Sequence, residues 1–408
     1  MIVIIGAGIA GLTCAKYLKD RGIEALVLEA SDGVGGRVRT DIVEGFTLDR
    51  GFQVMLTSYP EALKLLDFKA LNFKTLPSGA RIREGNRFIT MPNPLKNPLT
   101  APQALFADVG SFWDKLKVLQ LNLNVLNVED PSVKTAQKAE TTLSFLKNYG
   151  YSDTIINRFF KPFFRGVFLE KELDTNADFF KFLYHHFAKG DVVVPEKGMQ
   201  AIPEQIAAHL NAHQIRLNKP VEKIVGKTVF LKNGETIEAD KIVVATDAKA
   251  ASKLLGETPN TSFNVTDCLY FTSDTPLSIS GIPYLMVNSN KGEIIAHIVE
   301  MSTFAPSYAV AGKTLISVSL VGKNALSDNV LIEKVQAELS NWFGKKQRFQ
   351  HLKTYRIPEA LPQYFKTPPQ YNALKINDFT YRCGDYTAYP SLNAAMKTGR
   401  EVAEMLCD

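Results

Sequence analysis

Cysteine is scarce and unpatterned in this chain. Cys14, Cys268, Cys383 and Cys407 are scattered over 408 residues, with neither the close pairs of a metal or redox site nor the density of a disulfide framework. Such usage suits a reducing compartment, and none of the four is an obvious nucleophile. Histidine is sparse too, six in all. The adjacent His185 and His186 would point about 100° apart on a helix, so they cannot share a ligand on one face, and no metal site is expected. No uninterrupted apolar run approaches the ~20 residues needed to span a bilayer. No basic region precedes the first apolar stretch, and Gly6 and Gly8 interrupt it at once, which argues against a signal peptide. The expectation is a cytoplasmic protein without a transmembrane segment. The net charge of +5 is too small for this length to suggest nucleic acid. Repeats, low-complexity tracts and Gly/Ser linkers are absent.

What is present begins at the first residues, "MIVIIGAGIAGLTCAKYL". Ile2 to Ile5 read as a buried parallel strand, apolar throughout because both faces would be covered. Gly6 permits the tight bend, Gly8 lets the backbone approach a diphosphate, and Gly11 allows the following helix to pack closely, with Ile9 and Ala10 in the turn. The helix N-terminus offers N–H groups and a positive dipole end to phosphates. "EALVLEA" reads as the second strand, and Glu29 at its end, followed by Ala30, stands where a carboxylate accepts bonds from an adenosine ribose. Glutamate there argues against a 2′-phosphate. Strand, glycines, helix, strand and terminal acid in this order point to a dinucleotide. The next segment, "SDGVGGRVRT", adds Gly35, Gly36 and Arg37, a second backbone-lined approach with a fixed cation that a nicotinamide domain does not need.

On these residues the chain resembles the FAD-dependent superfamily of flavin amine oxidases, protoporphyrinogen oxidases and phytoene-type desaturases. The resemblance extends to "LDRGFQV", whose Asp49 and Gly51 match a flavin-lining D-x-G segment with Phe52 and Gln53 beside it. It continues through "VPEKGMQAIPEQIAAHL", with Lys197 where a glycine is usual, and through "KPVEKIVGKTVFLKNGETIEADKIVVATDAKA". Here Val221 matches the residue expected to hold the adenine, and Ala245 ends the returning strand. "YRCGDYTAYPSLNAAMKTGREVAEML" resembles the closing motif. Gly384 and Asp385 meet the ribityl chain in that motif, and Ser391, Leu392 and Ala395 open a helix facing the flavin.

The resemblance implies FAD, held non-covalently, in an α/β fold: a Rossmann-type FAD-binding domain assembled from discontinuous segments, plus a mixed α+β substrate domain with a helical part. The expected boundaries are 1–59, 191–262 and 375–408 for the first, and 60–190 and 263–374 for the second. In the substrate part, "SFWDKLKVLQLNLNVL" predicts a helix with Phe112, Leu116, Leu119 and Leu123 on one face and Lys115 and Lys117 away from it. "NRFFKPFFRGVFLEKE" gathers Phe159, Phe160, Phe163, Phe164 and Phe168, either a packed core or the wall of an apolar tunnel. Catalytic residues are not fixed by the sequence. Gln53 is the polar group placed most readily over the flavin, and Tyr386 and Tyr389 are candidates for an aromatic cage. The expected reaction is hydride abstraction from a C–H of a lipophilic, polyene-like substrate. The alternatives are an amine or protoporphyrinogen oxidase using oxygen, a non-redox flavin isomerase, and an FAD- or lipid-binding protein. The electron acceptor stays open. The basic stretch "GKKQRFQHLKTYR" reads as a solvated strand and loop, with a peripheral contact to an anionic membrane or a redox partner as its alternative.

Overall fold

The structure is a computed structural model describing residues 1–125, 128, 130–132, 140–259, 261–277, 281–365 and 373–407. Five short parallel strands form one sheet, in spatial order Ile215–Arg216, Ala25–Leu28, Ile2–Ile5, Lys241–Val244 and Thr380–Arg382. Ile2 lies opposite Ala25 on one side and Lys241 on the other. Successive side chains go to opposite faces. Ile2, Ile4, Val27 and Val243 pack with the helices Ile9–Asp20 and Leu392–Cys407. Val3, Ile5, Leu26 and Val244 pack instead against a three-stranded antiparallel sheet, Val221–Val225, Thr228–Leu231 and Thr236–Glu238, and the helix Ala248–Leu255. Both faces are thus covered, which is why the two strands Ile2–Ile5 and Ala25–Leu28 are apolar at every position.

The two helices on the first face approach closely because Gly399 has no side chain. A Cβ there would lie 2.3 Å from Ala10 O and 3.1 Å from Thr13 Cβ. This contact joins the C-terminal helix to the helix that follows the first glycine turn.

A second sheet of seven strands carries the other half of the molecule. Its order is Gln350–Pro362, Phe263–Ser273, Thr314–Val321, Ile295–Glu300, Leu285–Asn288, Gly79–Glu84 and Arg87–Pro92. All neighbours are antiparallel except Leu285–Asn288 with Gly79–Glu84. One face packs on the helix Asp328–Phe343, which ends at Gly344 with φ +95°. The other face joins the main core with the helices Lys161–Phe168 and Ala177–Lys189. Five residues before the first of these, Ile156–Phe160, are wound as a π-helix. Pro162 has no N–H for Arg158 O and its ring would strike that carbonyl, which accounts for the wider turn. The expected fold class is therefore the one formed: a parallel dinucleotide-type sheet drawn from distant segments, beside a mixed α and β layer. The helix Phe112–Asn124 forms where the sequence places it, with the stripe Phe112, Leu116, Leu119 and Leu123 exposed and Asp114 and Leu121 buried.

Candidate FAD and substrate site

At the C-terminal ends of the parallel strands a cavity of about 1260 Å³ runs from the nucleotide sheet into the space between the Phe-rich helices and the seven-stranded sheet. Its first wall is the glycine turn. Gly6 (φ +109°) bends where a Cβ would meet Ala245 O at 2.8 Å. Gly8 caps the helix Ile9–Asp20 without a side-chain bond, and a Cβ built on it meets no atom within 4 Å. Gly6, Gly8, Ile9 and Ala10 all line the cavity. Gly11 does not; it lies one step inside the helix, where a Cβ would meet Gly6 O at 2.1 Å. Its task is packing, as the spacing predicts.

Glu29 and Ala30 form the next part of the wall. The Glu29 carboxylate is buried and accepts bonds from Ala7 N at 2.7 Å, Ser31 N at 2.9 Å and Ser31 Oγ at 2.8 Å. The Gly35–Gly36 turn is sewn to the first one by Gly35 N donating to Ala7 O, 2.8 Å. Arg37 follows, donating to Asp385 Oδ1 at 2.5 Å. Val221, Ala245, Gly384 and Asp385 close this half of the cavity. Ser391, whose Oγ accepts from Ala394 N and so caps the C-terminal helix, lines it together with Leu392 and Ala395.

Gly51, Phe52 and Gln53 lie where the two halves meet. Gln53 Nε2 donates to Arg37 O at 2.9 Å, which fixes the amide and leaves Oε1 buried without a protein partner. The turn is braced from beneath by Asp49. Its carboxyl accepts from Thr40 Oγ1 at 2.6 Å, Met199 N at 2.8 Å and Tyr308 Oη at 3.1 Å. Burial outweighs these donors and pushes its pKa up to about 6. A carboxyl raised in the folded state contributes stability below its unfolded pKa, and that contribution is lost as pH rises through the folded value. The shift corresponds to about 2–3 kcal/mol. Thermal melts of the wild type are expected to lose stability between pH 4 and 7 by more than those of Asp49→Asn; parallel profiles would refute this.

The substrate half is apolar. Phe159, Phe163 and Phe164 line it, with Phe187 5.8 Å from Phe163 between ring centres, while Phe160 and Phe168 are buried in the core. The Phe-rich segment is both wall and core. Tyr184, Leu183 and Phe187, at i and i+3/i+4 spacing on one helix, also line the cavity, a periodicity that the sequence itself carries. His297 lines it too. It donates from Nε2 to Pro162 O at 2.8 Å, and burial pushes its pKa down to about 4, so the ring is neutral. An isolated strand histidine gives no sequence signal of this.

Tyr386 and Tyr389 need correction. Neither lines the cavity. Tyr386 packs with Val244 and Ala248 on the far face of the parallel sheet. Tyr389 is fully buried against Phe179 and Phe182, donating to Asp130 Oδ2 and accepting from Asn393 Nδ2, both at 2.9 Å. Adjacent turn residues splay to opposite sides, and here both rings are claimed by the core. His185 bonds Val125 O, and His186 bonds Ser58 Oγ with its pKa pushed down to about 4 by burial; both are structural. Among the described residues no cluster of potential metal ligands occurs.

A diphosphate-sized cradle open at Gly8, a buried carboxylate beside it, and a second glycine turn with Arg37 fit FAD along the first half of the cavity. Residues 9–407 match the family described as flavin containing amine oxidoreductase. The chain belongs to this flavin amine oxidoreductase family. It is 23% identical over 416 residues to coproporphyrinogen III oxidase of Bacillus subtilis, covering 89% of this chain and 87% of that one. It is 22% identical over 466 residues to the 15-cis-phytoene desaturase of Capsicum annuum, covering 99% and 77%. A crystal structure of a putative protoporphyrinogen oxidase from Exiguobacterium sp. 255-15 superposes with a TM-score of 0.76 at 18% identity, covering 99% of this chain and 98% of that one. This member of the flavin amine oxidoreductases is an oxidoreductase whose cofactor is FAD.

Proposed function

We propose that the chain takes a hydride from a C–H of a long lipophilic substrate, a desaturase-type reaction. The observation that carries this is the distribution of charge along the cavity. The acids lining it are Glu29, Glu222, Asp247, Glu359 and Asp385; four belong to the segments assigned to the cofactor, and Glu359, from a substrate segment, pairs with Lys249 of one of them. None stands among Phe159, Phe163, Phe164 and Phe187, so an ammonium group there would meet no counter-charge. A polyene needs none.

In this reading residues 1–59, 191–262 and 375–408 carry the cofactor, and 60–190 with 263–374 carry the substrate. Gly8, Gly36 and the N-terminus of the first helix hold the diphosphate, Glu29 the ribose, Val221 the adenine, and Asp385 with Arg37 the ribityl side. Gln53, Leu392 and Ala395 stand at the flavin end. FAD supplies the hydride acceptor. The chain would exclude water from the flavin end with its apolar walls and orient the substrate; hydride loss itself calls for no protein base, and the proton then lost from the adjacent carbon, which completes the double bond, would pass to water at the open end of the cavity, where Leu95 and Leu105 are exposed. Cys383, fully buried, outside the cavity wall and with its pKa pushed up to about 12 by burial, offers no thiolate for a covalent link.

A porphyrinogen oxidase is the second reading, favoured by Arg50 and Arg356 in the wall as sites for carboxylates. Both are already paired, with Asp41 and with Asp267 and Asp328. Incubation with phytoene and a quinone acceptor separates the readings by mass. The proposal expects a product lighter by two hydrogens. A product of unchanged mass would mean isomerisation, and conversion of a porphyrinogen alone, with peroxide released, would replace the proposal by the oxidase reading.

A further inference from the structure

The helix Phe112–Asn124 is folded inside out with respect to its apolar stripe, and its buried side explains how. Asp114 accepts bonds from Ser111 N and Oγ, both 2.8 Å, and from Ser152 N and Oγ at 2.9 and 2.7 Å. Turning Phe112, Leu116, Leu119 and Leu123 inward would pull this carboxylate out of its four bonds. The stripe is therefore held in solvent by the fold itself. Trp113 extends it at 70% exposure, its ring 5.9 Å from Phe112. The short helix Ala101–Phe106, tied to it by Lys115 Nζ donating to Leu105 O, adds Phe106 at 83% exposure, and the preceding turn adds Leu99. An apolar surface so continuous marks an interaction site.

Two features identify the partner. The first is charge. The only acids among residues 95–125 are Asp114, buried, and Asp108, which pairs with Arg87 and Arg158, whereas Lys115 and Lys117, bonded to the backbone oxygens of Leu105 and Gly150, stand beside the apolar side chains without a carboxylate partner, and Lys96 pairs with Asp191. Lysine among Trp, Phe and Leu is the pattern of an interfacial membrane helix, while lysine is depleted at the core of protein–protein interfaces. The second is continuity with the cavity. Leu95, Leu105, Leu116 and Leu119 are exposed on this surface and also line the cavity. A protein seated there would cover that opening; a bilayer would join it to an apolar medium.

We propose that this surface docks on a bilayer containing anionic lipid, with Phe106, Phe112 and Trp113 at the acyl boundary, Lys115 and Lys117 at the phosphates, and the cavity opening into the lipid. Docking stands on the surface alone. That the substrate enters by this route rests on the reading of the apolar chamber given above.

Trp113 provides its own probe, because the other tryptophan, Trp342, is 5% exposed. The FAD-loaded protein is mixed with vesicles of phosphatidylcholine, or of phosphatidylcholine with about one third phosphatidylglycerol, and followed by flotation and tryptophan emission. The expected result is flotation with the anionic vesicles, weakened by salt, and a blue shift of the emission. Phe106→Ser with Trp113→Ser, both exposed and outside the cavity wall, is expected to weaken partitioning roughly a hundredfold with an unchanged flavin spectrum. Flotation unaffected by this pair, or lost instead on Lys345→Glu with Lys346→Glu, would overturn the proposal. So would a blue shift that grows with protein concentration in the absence of lipid, which would assign the surface to a second copy of the chain. None of these readouts depends on turnover of a polyene.

Discussion

Replacing Gly8 with valine is expected to leave the chain folded and unable to hold FAD. A Cβ at this position meets no protein atom within 4 Å and the backbone is extended, φ −74° and ψ 177°, a conformation that valine adopts readily. The new methyl groups project into the cavity between the helix N-terminus and the Gly35–Gly36 turn, where a Cβ on Gly36 would itself come within 3.4 Å of Gly8 Cα. The diphosphate loses both its space and its approach to the N–H groups, and FAD affinity is expected to fall more than about a hundredfold. The contrast is Gly11. Its Cβ would lie 2.1 Å from Gly6 O and 3.0 Å from Ala245 Cβ, so Gly11→Ala should damage folding before binding. Circular dichroism with FAD titration by fluorescence quenching checks the pair. A Gly8→Val protein that binds FAD like the wild type would show that the cradle is not where the diphosphate lies.

Replacing Glu29 with alanine is expected to act on both stability and affinity. Two backbone N–H groups, of Ala7 and Ser31, bond this carboxylate, and each left unsatisfied costs about 1–3 kcal/mol. Losing the charged acceptor for ribose hydroxyls costs a further ~1.5–3 kcal/mol, a ten- to hundredfold weakening of FAD. Thermal melts with and without added FAD separate the two effects. An unchanged melting temperature in the absence of FAD would mean that the bonds to Ala7 and Ser31 are dispensable.

The nucleotide half was legible in the sequence because its determinants are local. Strand, glycine turn and helix follow one another within twenty residues; the glycines at 6 and 11 each answer a steric demand that the structure displays, and Gly8 leaves open the space beside the helix N-terminus. The later segments, ending in Asp385 and the Ser391 cap, were found through their likeness to a recurring motif. The substrate half was harder to read for two physical reasons. Its wall converges from the helix carrying Tyr184 and Phe187, the strand carrying His297 and the turn at Gln53, which no spacing connects. Local pattern also leaves open which face of a helix is buried where a polar anchor decides it. The stripe Phe112, Leu116, Leu119 and Leu123 has the periodicity of a buried face, yet Asp114 with Ser111 and Ser152 fixes the helix the other way round. Tyr386 and Tyr389 failed because proximity in sequence to the flavin-side motif does not set which face of the turn a ring occupies.

The central claim is that a FAD site opens directly onto a chamber built for an apolar C–H donor. The most direct measurement is an anaerobic absorbance titration of the FAD-loaded protein with phytoene, a porphyrinogen and a diamine in turn. The account predicts that the oxidised-flavin band bleaches with the polyene, in proportion to the amount added, and with neither of the others. Bleaching by the diamine or the porphyrinogen with no response to the polyene would contradict it.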